Sequence, residues 1–332
     1  MNEPKSVHDL SGKNNNENSL NFQTPVEGIN FDTKNLTLDH IINSFKSTGF
    51  QSTNLYKSIL EIDKMIKSNS KIYLGCTSNL ISSGLRDIIR FLVQHKHIDV
   101  CVITAGGIEE DIIKCLKPTL CADFTYKGED LRNNGLNRIG NLVIPNENYE
   151  LFEKWFNESL DELLKDSNED NPLIITPSKF IEYLGLRINN EKSILYWAAK
   201  NHIPIYSPAL TDGSIGDMIT FYKKRTCFKL DIVEDIKSIN FSTLDSKKTG
   251  AIILGSGLIK HHILNANLFR NGLDFCVLIN TANEYDGSDA GANIEESISW
   301  GKIKAKTQGI KVVGDATILF PLIVYSTFYK LH

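Results

Sequence analysis

The chain has 332 residues, with 36 Lys and Arg against 40 Asp and Glu, a formal charge of −4 with neutral histidines. That length supports a sizeable core in one large or two ordinary domains and excludes a small module. With 41% hydrophobic and 23% charged residues and a pI near 6.1, the composition excludes collagen, coiled coil and wholesale disorder, and it argues against a strongly basic face that grips nucleic acid. A local acidic pocket for a cation is compatible with it.

Residues 1–35 are polar, with Asn14-Asn15-Asn16 at their centre, and bury too little apolar surface to offset ordering entropy. They predict a disordered tail before a domain over 36–332. From Asp39 to Met65, apolar residues recur at helical spacing: Ile41, Ile42 and Phe45, then Leu55, Ile59, Ile62 and Met65. Two helices joined across Gly49 are expected. Short β-rich runs follow at Ile72–Leu74, Val100–Ile103, Ile203–Tyr206, Ala251–Leu254, Phe275–Ile279 and Lys311–Val313, most of them leading into amphipathic stretches. That alternation predicts a parallel sheet. Asp166–Asp170 reads as a surface loop, and no Pro/Gly/Ser-rich linker divides the chain. The expectation is one doubly wound, mostly parallel α/β domain with a helical N-terminal extension. Cys76, Cys101, Cys115, Cys121, Cys227 and Cys276 form no CxxC pair and mostly lie in apolar runs, which predicts reduced thiols in a cytoplasmic protein and no metal site. No leader-like apolar region and no run near the roughly 18 residues of a membrane span is present.

In an open parallel sheet, ligands sit at the carboxyl ends of strands. Here those ends carry Gly75–Asn79, Thr104–Gly107, Leu210–Ser214, Gly255-Ser256-Gly257, Thr281–Glu284 and Asp315-Ala316, a set that favours a nucleotide-type ligand. Gly255-Ser256-Gly257 begins like a dinucleotide fingerprint, but Lys260 stands where the third glycine belongs, and an ordinary tight turn is an equal reading. Downstream, Asp286-Gly287-Ser288-Asp289, Glu295-Glu296 and Ser299-Trp300-Gly301-Lys302 put carboxylates, a tryptophan and a lysine in one stretch. Carboxylates and an aromatic face suit a polyamine. A lysine attacks a carbon–nitrogen double bond only when neutral, which requires desolvation or nearby positive charge, whereas most loop lysines are simply solvated. His261 or His262 suits a general base, or a structural hydrogen bond at a helix start; adjacent helical residues diverge, so at most one faces a pocket.

At these residues the sequence resembles the deoxyhypusine synthase family. The resemblance rests on Thr77–Gly84, Thr104–Gly107 with Glu109-Glu110-Asp111, Asn137–Asn141, Ser207–Ser214, Lys260-His261-His262, Glu284–Asp289 and Ser299–Lys302, and it runs from about Thr48 to the C-terminus. It implies a Rossmann-like enzyme that uses NAD to move the aminobutyl group of spermidine to one lysine of the translation initiation factor 5A precursor, through an imine on an enzyme lysine. By this resemblance Lys302 is the covalent lysine and His261 the base. Ser78, Asn79, Leu80, Ile81, Ser82, Thr104, Ala105, Gly106, Glu110, Asp212, Ser256, Thr281, Ala282, Asp315 and Ala316 match the NAD contacts. Glu109, Glu110, Asp217, His261, Asn265, Gly287, Ser288, Asp289, Glu296, Trp300 and Lys302 match the spermidine side. The family also implies a homotetramer with NAD at a subunit interface, and a segment near Asp39–Phe50 that covers a neighbour's entrance. Three residues depart from the family pattern: Ser256 for a glycine, Asn283 for a glutamine and Cys76 for a serine. Ser256 is expected to tighten or crowd the approach to the cofactor. Two alternatives accompany this reading, a catalytically impaired regulatory paralogue and a homospermidine synthase.

Overall fold

A computed structural model describes residues 24–332; of the tail expected over 1–35, residues 1–23 lie outside the described residues and 24–35 form largely exposed turns and irregular chain without helix or strand. Helix formation begins where the apolar periodicity does. Thr37 caps the helix Leu38–Thr48, its Oγ1 accepting from the His40 N–H while His40 Nδ1 accepts from the Thr37 N–H. Gly49, at φ +98°, ends this helix and opens the next, Phe50–Lys67, at the break expected there. The second helix buries Leu55, Ile59, Ile62 and Met65.

Eleven strands follow in the described residues: β1 (Lys71–Cys76), β2 (Val100–Ile103), β3 (Leu120–Cys121), β4 (Leu136–Ile139), β5 (Leu142–Pro145), β6 (Leu173–Ile175), β7 (Ile205–Tyr206), β8 (Phe228–Leu230), β9 (Thr249–Leu254), β10 (Phe275–Asn280) and β11 (Ile310–Val313). The six runs read from sequence are the six strands of one parallel sheet, ordered β11-β10-β9-β1-β2-β7. Their side chains alternate between two cores, as strand geometry requires. Ile72, Leu74, Ile103, Leu254 and Val277 face one core, with the helices Phe50–Lys67, Leu85–Gln94, Ala105–Leu116 and Ala316–Ser326. Tyr73, Val102, Ile253 and Leu278 face the other, with Ile232–Leu244 and Leu258–Leu268. Edge strand β11 is finished by side chains of the second helix: Gln51 Oε1 accepts from the Val313 N–H at 2.8 Å, and Asn54 donates to the Lys311 carbonyl at 3.3 Å.

The chain winds outward from β1 through β2 to β7, then restarts at β9 on the other side of β1. The reversal opens a crevice at the carboxyl ends of β1 and β9. Two small sheets were not legible in the sequence: antiparallel β3-β5-β4 and the parallel pair β6-β8. Their strands are two to four residues long and largely exposed or half-exposed, leaving no sustained alternation to read. Asn137–Asn141 lies in the β4–β5 hairpin.

Helix Ala105–Leu116 buries three consecutive acids, Glu109, Glu110 and Asp111, at 5%, 4% and 1% exposure. Asp111 is fully engaged. Its Oδ1 accepts from Arg86 Nε at 2.7 Å and the Ile194 N–H at 3.0 Å, and its Oδ2 accepts from Ser193 Oγ at 2.5 Å and the Leu195 N–H at 3.2 Å. One carboxylate thus pairs a buried guanidinium and holds the start of helix Ile194–Asn201. Removing one partner of a buried pair leaves the other charge stranded. Asp111→Asn should therefore lose about 3–5 kcal/mol in denaturant unfolding; a loss of about 1 kcal/mol, typical of an exposed pair, would contradict this role.

Candidate active site

At the reversal, the short helix Ser78–Ser82 is held at both ends. The Ser78 N–H donates to Thr104 Oγ1 at 2.8 Å, and Lys114 Nζ donates to the carbonyls of Ile81, Ser82 and Ser83 at 3.0, 3.0 and 2.9 Å. Gly255 lies at φ +85°, and a Cβ there would sit 2.5 Å from Thr77 Oγ1, so only glycine lets the β9 turn approach the β1 turn. A cavity of about 220 Å³ opens here, lined by Thr77, Asn79, Leu80, Gly255, Asn280, Thr281, Asp315 and Ala316 among others. Five of the expected cofactor contacts, Asn79, Leu80, Thr281, Asp315 and Ala316, thus line one cavity. Ile81, Ser82 and Ala105 are buried beneath, Gly106 lies against Ser78, and Ala282 lines an adjoining cavity with Asn283 and Glu284. The Ser256 Oγ donates to the Ala290 carbonyl at 3.0 Å, tying the glycine turn to the following loop.

The acid group lies on the β2–β7 side. Glu109 Oε1 accepts from the Ile215 N–H at 2.8 Å, at the start of helix Ser214–Phe221. Burial pushes its carboxyl above the ordinary range; Ile215 and Ser214 pull it back, while Asp217 and Asp212 push it further up. Glu110 is less satisfied. Its Oε1 accepts from Tyr149 Oη at 3.4 Å, and its Oε2 is buried with no partner. Burial pushes the Glu110 carboxyl up to about 7, against Lys114, which pulls it down but whose donors are spent on carbonyls. Asp217 lines a cleft of about 670 Å³ with Asn137, Tyr149, Glu150, Glu153 and Ser214. Tyr149 and Lys114 carry no sequence signal for these roles.

The second group follows β9 and β10. His261, on helix Leu258–Leu268, is exposed, with Nε2 2.8 Å from Asn265 Nδ2 one turn on and Nδ1 3.9 Å from Asp289 Oδ1. His262 turns inward, and burial drives its pKa down to about 4, so only one histidine of the pair suits a base near neutral pH. The loop carrying Gly287 and Ser288 turns on the Ser288 N–H donating to Asp286 Oδ1 at 2.8 Å. Glu296 is exposed in the first turn of helix Ile294–Ser299, its N–H donating to Asn293 Oδ1. Gly301, at φ +71°, bends the chain between Trp300 and Lys302. Lys302 is fixed through its backbone, its N–H donating to the Ser297 carbonyl and its carbonyl accepting from the Leu273 N–H, each at 3.0 Å. Its Nζ lies 5.7 Å from the centre of the Trp300 ring, which is 66% exposed.

The residues that the resemblance matches to the spermidine side fall in two groups. Glu109, Glu110 and Asp217 belong to elements packed in the first core, and His261, Asp289, Trp300 and Lys302 to elements packed in the second. Among the described residues no hydrogen bond or ion pair joins the two groups, no cluster of three or more His, Cys, Asp or Glu is arranged to hold a metal, and no helix is long and apolar enough to cross a membrane.

The family model for deoxyhypusine synthase matches residues 40–327. The chain is 56% identical over 330 residues to the deoxyhypusine synthase of Encephalitozoon cuniculi (strain GB-M1), covering 99% of this chain and 97% of that protein. It is 47% identical over 334 residues to that of Caenorhabditis elegans, covering 92% and 90%. A crystal structure of a provisionally named deoxyhypusine synthase from Entamoeba histolytica superposes with a TM-score of 0.68 at 36% identity, over 92% of this chain and 97% of that one. With a family model matched nearly end to end and relatives this similar, the chain belongs to the deoxyhypusine synthase family and is an enzyme of that type.

Proposed function

We propose that the enzyme transfers the aminobutyl group of spermidine to a lysine of the translation initiation factor 5A precursor, with NAD as cofactor. The observation that carries this reading is the Glu109–Glu110 pair: two buried carboxylates, neither in a salt bridge among the described residues, one with an unpartnered oxygen. Buried charge is stable only when paired, so the pair calls for a cation from outside. The reversal crevice fits a dinucleotide by its close-approach glycine and its helix starts. Asn79, Leu80, Thr104, Thr281, Asp315 and Ala316 would hold NAD, which when bound supplies hydride removal from the amine and hydride return.

The chain's own residues do the rest. Glu109, Glu110, Asp217, Asp289 and Glu296 pair with ammonium groups, and Trp300 provides an apolar wall. His261 takes a proton at its ring nitrogen. Lys302 Nζ adds to the carbon of the substrate C=N bond; the bond from that carbon to the departing nitrogen breaks, and a three-carbon diamine leaves with the proton. The acceptor lysine then displaces Lys302 from the same carbon. This requires a dry Lys302, and we infer a homotetramer in which a neighbour covers Trp300 and joins the two groups of site residues. Phe50, 96% exposed beside Gly49, supports the Asp39–Phe50 segment as part of that cover. Residues 36–332 then form one catalytic unit built on the six-stranded sheet, and the six free cysteines, which suit a reducing compartment, support a cytoplasmic enzyme.

Spermidine labelled in its butyl chain, given with NAD and the factor 5A precursor, should label the precursor; label only in homospermidine would favour a putrescine acceptor. No label in any product would favour the impaired paralogue, against which Lys302 and His261 stand. Lys302→Arg should abolish label transfer and retain NAD binding, because arginine stays protonated; transfer at the wild-type rate would remove Lys302 from its role. Polyamine binding should also depend on pH. A bound ammonium favours the ionised form of Glu110, whose carboxyl sits up at about 7, so binding expels its proton. Affinity should rise with pH between about 6 and 8, by up to about tenfold per unit below 7. Calorimetry in buffers of different ionisation enthalpy should show proton release, and a binding heat independent of buffer would contradict the assignment.

A further inference from the structure

We propose that Lys260 is a positioning residue of this site, clasping the Asp286–Ala292 loop so that Asp289 stands beside His261. The inference rests on the reading of the site given above and adds a residue to it. Lys260 is only 1% exposed, although it occupies the place where the dinucleotide fingerprint has a glycine. A buried lysine is costly unless its ammonium is met. Here Nζ donates to the Asp289 carbonyl at 2.5 Å and the Ala292 carbonyl at 3.3 Å, and lies 3.9 Å from Asp289 Oδ2, a buried oxygen with no hydrogen bond. Asp289 Oδ1 in turn lies 3.9 Å from His261 Nδ1.

The loop depends on such contacts because no strand among the described residues pairs with it. Four successive carbonyls, Asp289 to Ala292, are each met by a side chain: Lys260, Ser256 at 3.0 Å, Lys311 at 2.6 Å, and Lys260 again. Ser256 and Lys311 hold the middle of the loop; only Lys260 holds both ends and faces the carboxylate. Burial pushes the Lys260 ammonium below its ordinary range; Asp289 and Glu296 pull it back toward the charged form, and Lys311 opposes them.

Lys260→Met keeps the length and removes the charge. Amide exchange at Gly291 and Ala292 should accelerate about tenfold or more, the scale of losing hydrogen bonds to a charged donor, while β9 and β10 exchange as before. The KM for spermidine should rise by a similar factor, with NAD affinity within about twofold. Because Asp289 then faces His261 without a compensating cation, the acidic limb of the pH–rate profile should move to higher pH. A merely structural lysine would lower NAD and spermidine affinity together and leave that limb in place, which overturns the proposal, as does unchanged loop exchange. If the Met variant does not fold, Lys260→Gln keeps a donor: loop protection should persist in part while the pH limb still shifts, and an unmoved limb counts against the proposal. Loop exchange needs no substrate, so it judges the clasp even if wild-type protein fails to bind spermidine, a result that would instead overturn the functional reading.

Discussion

Three neighbouring carboxylates buried on one helix are the constraint from which the rest of the structure follows. Successive helical residues point about 100° apart, so Glu109, Glu110 and Asp111 meet three different surroundings. Asp111 meets Arg86 and the start of helix Ile194–Asn201, and its charge is fully compensated inside the chain. Glu109 meets one backbone N–H at the next helix start. Glu110 meets a tyrosine hydroxyl at one oxygen, with Lys114 and Ser82 near enough to lower its carboxyl only in part, and its other oxygen is buried without a partner. The same helix therefore anchors the fold through one acid and leaves another only partly compensated. Lys114, one turn on, fastens this helix to the Ser78–Ser82 segment that lines the crevice.

The parallel sheet then decides where the remaining chemistry goes. Reversal of winding between β1 and β9 sends the helix bearing the acid pair to one face and the helix bearing His261 to the other, while both begin at the same carboxyl edge. Lys302 and Trp300 sit beyond β10 on the His261 side, with the indole in solvent. In the proposed reading each half holds part of the reaction: buried carboxylates for the cation in one, and nucleophile, base and further carboxylates in the other. A site so divided gains function when the halves are brought together, which the proposed subunit contact does.

Much of this was legible in the sequence, for identifiable reasons. The six sheet strands announce themselves because strands buried on both faces need nearly continuous Val, Ile and Leu, as in Ala251–Leu254 and Phe275–Ile279. Gly49 and the divergence of His261 from His262 follow from backbone geometry alone. The strands of the small sheets stayed hidden because they are short and partly exposed. Tyr149 and Lys114 stayed hidden because their partners, Glu110 and Ile81–Ser83, lie 30 or more residues away, where no spacing rule reaches. The Ser256 hydroxyl's bond to the Ala290 carbonyl stayed hidden too, because it depends on the path of a loop 34 residues later. The motifs name Glu109, Glu110, Asp289 and Glu296 for one polyamine; the strand order divides them between two groups.

The central claim, that the working site joins the Glu110 half of one chain to the Lys302 half of another, is tested most directly by subunit mixing. Glu110→Gln and Lys302→Arg chains, each inactive alone, would be co-expressed with different tags and the hybrid isolated. If the halves come from different chains across a two-fold contact, random pairing restores transfer to about a quarter of the wild-type rate. If each chain carries a complete site, the hybrid remains as inactive as its parents, and the account is contradicted.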